Sequence, residues 1–287
     1  MTSLRQALHR SIHLLKDHGI EDSHIEARAL LQFITNLSAA EVYASPERML
    51  TKKEERRLKG LLQRRLRREP LAYITNKKEF YGLDFYVDQR VLIPRPETEL
   101  LVETAIEFAT GKANPDAKTT TIADIGTGCG AIAISLAANL PTCRVYATDI
   151  SHSALEVASI NCQRHNVSNR VILLHGNLLE PLPHPVDIIV ANLPYISSME
   201  LPTLEPEVRE FEPEIALNGG NSGLELIQQL LSQVEQKMNP AGCLLLEIGQ
   251  HQYEYLAPIL HGNFQAIRLD FIADLGGVKR VARIIFP

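Results

Sequence analysis

The stretch Thr121-Ile122-Ala123-Asp124-Ile125-Gly126-Thr127-Gly128-Cys129-Gly130 constrains this chain more than any other. A short apolar run ends in alternating glycines, and a helical pattern from Ala131 to Ala137 follows at once. Strand, glycine turn and helix in that order open a parallel βαβ unit, because a parallel neighbour is reached only through a crossover. From Thr119 onward the alternation continues. Strands are expected at Thr121–Ile125, Arg144–Thr148, Val171–Leu174, Asp187–Ala191, Cys243–Ile248, Phe264–Leu269 and Val281–Phe286. Apolar strand runs alternating with helical patterns define an α/β chain.

Glycines at a strand-to-helix turn let the backbone pass close to a ligand and leave helix N-terminal amides free. The spacing here is Gly-x-Gly-x-Gly, not the Gly-x-Gly-x-x-Gly suited to a dinucleotide pyrophosphate. The next strand ends in Asp149, whose carboxylate can accept from both hydroxyls of a ribose, while Asp124 would face a cationic amino-acid end. A ligand with a ribose and an ammonium group, and no phosphate, is S-adenosylmethionine. A second turn, Asn192-Leu193-Pro194-Tyr195, follows the buried-strand run Val186–Ala191. It offers a side-chain carbonyl, a backbone carbonyl and an aromatic face within one small space. That suits a flat group bearing an NH2, since two acceptors take its hydrogens while the ring covers its face. Asn-x-Pro is also an ordinary turn, so the tetrapeptide takes its weight from the glycine motif upstream.

The order Asp-x-Gly-x-Gly-x-Gly, strand-end Asp and Asn-x-Pro-Tyr resembles that of class I methyltransferases acting on nitrogen. Phe80-Tyr81-Gly82 and Val91-Leu92-Ile93-Pro94-Arg95-Pro96-Glu97-Thr98-Glu99 are similar to the signature of the HemK/PrmC protein-(glutamine-N5) methyltransferases. Those enzymes modify the Gly-Gly-Gln loop of peptide-chain release factors. Phe211-Glu212-Pro213, Ala216-Leu217-x-Gly219-Gly220, Leu246-Glu247-Ile248-Gly249 and Asp274-Leu275-x-Gly277-x-x-Arg280 extend the match over nearly the whole chain.

The resemblance implies a Rossmann-like, seven-stranded, mostly parallel sheet with its last strand antiparallel, and a small N-terminal helical domain. It implies cofactor contacts at Asp124, Gly126, Thr127, Gly128, Cys129, Gly130, Asp149, Asn177, Leu178 and Asn192. Asn192, Pro194 and Tyr195 would be catalytic, and the run Asn192 to Tyr195, Leu193 included, would hold the substrate. The chain departs from the family where Leu193 replaces the usual Pro and where Asn177 replaces a common Asp. At 193 the backbone carbonyl survives without the fixed φ of Pro, so a Pro there should be tolerated. At 177 an amide oxygen can still accept from an adenine amino group, without the charge.

A carboxamide nitrogen is a poor nucleophile because its lone pair is delocalised into the carbonyl. The economical route is positional. Asn192 Oδ1 and the carbonyl of residue 193 would grip the NH2, and Tyr195 would stack on the amide plane, leaving alignment and desolvation to lower the barrier. Arg95, Glu97 and Glu99 read equally as a proline turn with acids in a helix's first turn, or as a segment lining the cleft. Glu247 and Asp274 read as structural hydrogen-bonding residues.

Before the glycine motif the chain divides. Residues 1–75 read as a helical, substrate-recognition domain, residues 76–97 as a β-hairpin linker around Gly82, and residues 98–287 as the catalytic domain. Capping boxes are expected at Ser3/Gln6, Ser23/Glu26, Ser38/Glu41 and Thr51/Glu54. Leu4, Leu8, Ile12 and Leu15 share a helix face that stops at Gly19, and Leu58, Leu61, Leu62 and Leu66 share another, with Lys52 to Arg68 placing basic side chains outside. A short loop is expected at Asn114-Pro115-Asp116.

A net charge of −5 argues against a protein that coats nucleic acid, and 45% apolar content is enough for a packed core. Cys129, Cys143, Cys162 and Cys243 lack Cys-x-x-Cys spacing, and the ten histidines lack metal-ligand spacing. The expectation is a cytoplasmic monomer that uses S-adenosylmethionine and no metal, with release factors as partners and no membrane or stable nucleic-acid binding. The alternatives are a ribosomal-protein glutamine methyltransferase, a DNA or RNA exocyclic-amine methyltransferase, and a non-enzymatic scaffold.

Overall fold

The computed structural model describes residues 2–111 and 119–287, so the loop expected at Asn114–Asp116 lies outside the described residues. The chain divides into two compact units, one of Met1–Asn76 with Glu205–Phe211, the other of Lys77–Leu204 with Glu212–Pro287.

The first unit is helical: α1 (Leu4–Asp17), α2 (Ser23–Thr35), α3 (Ala39–Ala44), α4 (Lys52–Leu66) and α5 (Leu71–Thr75). Ser3, Ser38 and Thr51 cap their helices in full capping boxes with Gln6, Glu41 and Glu54, so the first amides of α1, α3 and α4 find acceptors. The box expected at Ser23 does not form. Asp22 holds the cap position without a side-chain bond, Ser23 is buried inside α2, and Glu26 turns instead to Arg65. Leu4, Leu15, Leu30, Leu31, Leu58 and Leu62 make the core, with Leu8, Ile12, Leu61 and Leu66 packed against it.

The basic helix also departs from its expected pattern. Lys52, Lys53, Arg56, Arg57 and Lys59 are exposed, but Arg65 is only 5% exposed. Its Nε and Nη2 donate to Glu26 at 2.6 and 3.2 Å, and its Nη1 donates to Glu207 at 3.0 Å. The reason is positional. Arg65 follows Leu58 and Leu62 at i+7 and i+3, on the buried stripe rather than opposite it.

The second unit opens with a hairpin of β1 (Lys78–Phe80) and β2 (Leu83–Phe85), paired antiparallel with Phe80 opposite Leu83. Tyr81 (φ 50°) and Gly82 (φ 73°) both take the left-handed conformation that a two-residue turn of this hand requires. A tight turn, Pro96–Thr98, then leads into α6 (Glu99–Gly111).

The sheet contains β3 (Thr121–Ile125), β4 (Arg144–Asp149), β5 (Val171–His175), β6 (Val186–Ala191), β7 (Met238–Glu247), β8 (Arg268–Ala273) and β9 (Lys279–Ile285), in the order β5-β4-β3-β6-β7-β9-β8. In chain order the helices between and after these strands are α7 (Ala131–Asn139), α8 (His152–Arg164), α9 (Pro206–Phe211, grouped with the first unit), α10 (Glu225–Lys237) and α11 (Gln252–Asn263). β9 runs antiparallel to both β7 and β8, and the remaining pairings are parallel. This is the class I methyltransferase sheet. The chain winds outward from β3 to β5 and then returns to lay β6 on the other side of β3. That reversal makes the carboxyl ends of β3 and β6 the switch point where open α/β sheets bind ligands.

One strand is shifted from its expected place. β8 begins at Arg268, not Phe264, because pairing with β9 starts where Arg268 meets Ile285. Phe264 instead closes α11 and is buried edge-to-face against Phe286 at 5.1 Å. Among the described residues no helix is long and apolar enough to cross a membrane.

Removing one partner of a buried ion pair strands the other charge. Arg65→Ala is therefore expected to destabilise the protein by ~3 kcal/mol in denaturant titration, whereas exposed Arg56→Ala should stay within about 0.5 kcal/mol. Equal midpoints for the two variants would show that the Arg65 cluster contributes nothing beyond its surface counterparts.

Candidate active site

The glycine turn is built from beneath. Gly126, Gly128 and Gly130 all have positive φ (72°, 56° and 84°), a path that residues with a Cβ adopt only under strain. Asp124, fully buried at the end of β3, accepts from the Thr127 hydroxyl at 2.6 Å and from the Ala133 amide at 3.1 Å, tying the turn to the first residues of α7. Its other oxygen, Oδ1, has no hydrogen-bond partner. Burial pushes this carboxyl up to about 7, against the lowering effect of those two bonds.

Asp149 ends β4 beside the turn. Its two oxygens accept from the amides of Gly128 (2.8 Å) and Ser151 (2.9 Å), which fix the carboxylate plane and leave further lone pairs. Burial raises its pKa and the amide bonds oppose that rise. Asn177 gives its Nδ2 to Glu180 Oε1 at 3.1 Å, so its Oδ1 remains an acceptor. Leu178, held at φ 49°, passes its carbonyl to the buried Thr148 hydroxyl.

The second turn leaves β6 one strand away. Asn192 donates from Nδ2 to Thr98 Oγ1 at 3.0 Å, leaving Oδ1 as its unused acceptor. Leu193 is 5% exposed and packs in the core of the sheet, its Cδ2 lying 3.3 Å from where a Cβ on Gly126 would sit. The side chain at 193 thus packs against the glycine turn, which the expectation that Pro would be tolerated did not include. Tyr195 donates its hydroxyl to Glu247 Oε1 at 3.4 Å, and burial followed by that carboxylate raises its pKa. Glu247 itself, 2% exposed, is pushed up to about 7 chiefly by burial.

A loop clamps this turn from outside. Gly219 and Gly223 approach so closely that a Cβ on either would fall 2.5 Å from the Pro194 carbonyl or 2.2 Å from that of Tyr195. Ile196 exchanges hydrogen bonds with Leu217 and Gly219, and Gln252 Nε2 donates to the Tyr195 and Gly223 carbonyls. On the linker side, Arg95 donates to Glu212 Oε1 at 2.5 Å, and Glu212 Oε2 accepts the Ile93 amide. The pair pins the Arg95–Thr98 segment beside the turn's exit loop.

Gly126, Gly128, Asp149, Asn177, Leu178, Asn192, Leu193 and Pro194 line one cleft, walled also by Val91, Leu92 and Ile215. Asp124, Thr127, Cys129 and Gly130 do not line it. Asp124 was expected to face a ligand's cationic end, yet it lies under the turn as the anchor of Thr127. Tyr195 does not line that cleft; it lines a second pocket with Gly249, Gln252 and Tyr255. Thr98, Glu212, Gln252 and Gly223 were not singled out as site residues. Thr98 and Glu212 did stand inside the Arg-Pro-Glu-Thr-Glu and Phe-Glu-Pro stretches, the one signal for them.

The groups lining the cleft fit an adenosyl amino acid: a fixed carboxylate at a strand end, a free amide oxygen at Asn177, and apolar walls. Among the described residues no group of three or more His, Cys, Asp or Glu is placed to hold a metal ion, and the four cysteines are buried.

Residues 6–75 match the PrmC N-terminal domain, and residues 98–204 match the methyltransferase small domain. The release factor glutamine methyltransferase of Moorella thermoacetica is 43% identical over 251 residues, 87% of this chain and 87% of that protein. The protein of the same name from Geobacter sulfurreducens is 38% identical over 253 residues, covering 88% and 86%. A solved methyltransferase from Pyrococcus furiosus shares the fold, with TM-score 0.52 and 21% identity over 73% of this chain and 91% of that one.

Asp124 provides a pH test. Its folded pKa lies above its ordinary value, so between about pH 4 and 7 the native state holds a proton that the unfolded chain releases. Its contribution to stability is present at the low end and lost as pH rises through 7, by at most about 1.4 kcal/mol per pH unit. Asp124→Asn should lack this slope, so the parent-minus-variant stability should fall across that window in denaturant titrations. Parallel curves would show that Asp124 is ionised throughout.

Proposed function

The chain belongs to the release factor glutamine methyltransferase family, and from that premise we propose that it methylates the side-chain amide nitrogen (N5) of the glutamine in the Gly-Gly-Gln motif of peptide-chain release factors, with S-adenosylmethionine as donor. The observation that carries this reading is the state of Asn192. Its NH2 is committed to Thr98, and its Oδ1 is left as a free acceptor on a residue that lines the same cleft as Gly126 and Asp149.

Gly126, Gly128, Asp149, Asn177 and Leu178 would hold the cofactor. Asp149 would accept the ribose hydroxyls and Asn177 Oδ1 the adenine amino group. Bound there, S-adenosylmethionine supplies a sulfonium methyl, an electrophilic carbon whose departing sulfur keeps the bonding pair. The remaining work belongs to the chain. Asn192 Oδ1 and the Leu193 carbonyl accept the two amide hydrogens of the glutamine, which favours a pyramidal nitrogen and aims its lone pair at the cleft. Pro194 holds the turn rigid, and the Tyr195 ring forms the wall along which the side chain enters from the second pocket. As the N–C bond forms, one N–H proton leaves to water. Catalysis of this kind is alignment in a desolvated slot, able to supply several kcal/mol without a general base.

A glutamine between glycines suits such a slot because its neighbours bring no side chains. Incubation with labelled S-adenosylmethionine and a release factor, followed by mapping of the label, tests the reading. Label is expected on that glutamine, and none should appear when it is replaced by asparagine, whose side chain is too short. Undiminished labelling of the asparagine variant would move the reaction elsewhere. In single turnover at saturating cofactor, Asn192→Ala should slow transfer by about 10²–10³-fold with cofactor affinity nearly unchanged. A parental rate would reduce the tetrapeptide to a structural turn.

A further inference from the structure

Asn161 belongs to none of the motifs that mark the site, yet it holds two parts of the cofactor cleft together. It stands in the third turn of α8, is fully buried, and makes three side-chain hydrogen bonds, all to main chain. Its Oδ1 accepts the Tyr86 amide at 2.7 Å, and its Nδ2 donates to the carbonyls of Tyr86 and Cys129, each at 2.9 Å. Both amide hydrogens are committed, and a reversed amide would set Oδ1 against two carbonyls in a buried place. The side chain has one orientation.

Its two partners belong to different parts of the cleft. Cys129 sits in the glycine turn beside Gly128, which lines the cleft, and Tyr86 follows β2 in the segment that continues to Arg90, Val91 and Leu92, which line it too. Residues 86–92 form neither helix nor strand, and the glycine turn has no side chains to hold it. Each therefore takes its position from contacts outside itself. α8 supplies these at several points. Ala158, one turn before Asn161, lies 3.4 Å from where a Cβ on Gly130 would sit. Glu156 accepts from Arg90 Nη1 at 2.8 Å, and His165 Nε2 meets the Asp84 carbonyl at 3.0 Å. The helix starts at Ser151, whose amide is held by Asp149 and whose hydroxyl caps the first turn.

We propose that Asn161 is a positioning residue for cofactor binding, fixing residues 86–92 against the glycine turn so that S-adenosylmethionine meets a cleft already formed. The proposal rests on the cofactor reading above, and it makes the β1–β2 hairpin part of the cofactor site rather than only a linker. Without the Asn161 amide, the Tyr86 amide and the carbonyls of Tyr86 and Cys129 lose their shared partner. Only the fraction of molecules with both parts in place would then bind, and the apparent Kd rises by the inverse of that fraction. The transfer step stays outside this effect. Asn192 leaves β6 and is held by Thr98, with no bond to α8, so the grip on a substrate amide persists once cofactor is bound.

The test titrates S-adenosylmethionine into folded protein by calorimetry, comparing Asn161→Ala with Val157→Ala, a buried α8 position that takes no part in these bonds. Asn161→Ala is expected to weaken cofactor binding by about 10–30-fold and Val157→Ala by less than about twofold, although both lower stability. Single-turnover methylation of a release factor at saturating cofactor should stay within about threefold of the parent in both, so the loss falls on affinity and not on the transfer step. Hydrogen exchange on the parent needs no variant to fold. Added S-adenosylmethionine should slow exchange in residues 86–92 and 126–130 together, as expected of two parts that bind as one.

Parental affinity in Asn161→Ala, equal losses in the two variants, a loss of rate without a loss of affinity, or protection of the glycine turn without residues 86–92 would each overturn the proposal. A parent chain that binds S-adenosylmethionine more tightly than Asn161→Ala, yet leaves release factors unlabelled, would overturn the substrate reading and leave the role of Asn161 standing. A parent that binds no S-adenosylmethionine would overturn both.

Discussion

The parallel pairing of β3 with β6 is the constraint on which everything else depends. It sets Ile125 opposite Ala191, so the next residues on the two strands, Gly126 and Asn192, leave the sheet side by side at the switch point. A one-residue slip would reverse every side chain of β6 relative to the core and move the asparagine away from the glycine turn. Both strands are almost wholly buried, and Leu193 continues that core under Gly126. The two halves of the site are thus placed by hydrophobic packing of the sheet, before any polar contact acts.

Around that junction the protein keeps three carboxyl groups where stability alone would not put them. Asp124, Glu212 and Glu247 are all buried, and burial raises the pKa of each. Only Glu212 has a cation in direct contact, Arg95, and Asp124 and Glu247 each leave one oxygen without a hydrogen bond. Buried carboxyls of this kind cost stability and cluster at functional sites. Each anchors a different wall: Asp124 the glycine turn, Glu212 the linker at Ile93 and Arg95, and Glu247 the Asn-x-Pro-Tyr turn. Rigid walls matter here because alignment, not acid–base chemistry, has to lower the barrier.

The sequence made the sheet legible because its strands are short apolar runs bounded by turns, a local pattern that needs no knowledge of partners. It also brought out Gly126, Gly128, Asp149 and Asn192, since glycine spacing and strand-end polar residues are equally local. It could not show that Asn192 finds Thr98, 94 positions away, or that Tyr195 finds Glu247 across 52. Arg65 was hidden by its neighbours: a run of basic residues reads as a solvated face, and only its register with Leu58 and Leu62 marks it as buried. β8 was displaced because the apolar residues Phe264 and Ile267 pack as well beyond a helix end as in a strand. Ser23 was misread because Ser-x-x-Glu describes a cap only when the serine stands at the N-cap, and here Asp22 holds that position while Ser23 is already the first residue of α2.

The two departures from the family pattern have different physical weight. Asn177 keeps a free amide oxygen because Glu180 takes its NH2, so the acceptor persists and what is missing is charge. Leu193 is another matter. If only its carbonyl counted, any residue would serve. Its side chain is buried among the core residues of the sheet and packs over Gly126, so it fills volume that the smaller ring of a Pro would leave partly empty. A Pro would stiffen φ while removing that packing, and these effects act on the same turn in opposite directions. The clamp at Gly219, Gly223 and Gln252 holds the carbonyls of Pro194 and Tyr195 from outside, while Leu193 holds the backbone from within. The rigidity that a second proline would have provided covalently is supplied here by packing on both faces of the turn.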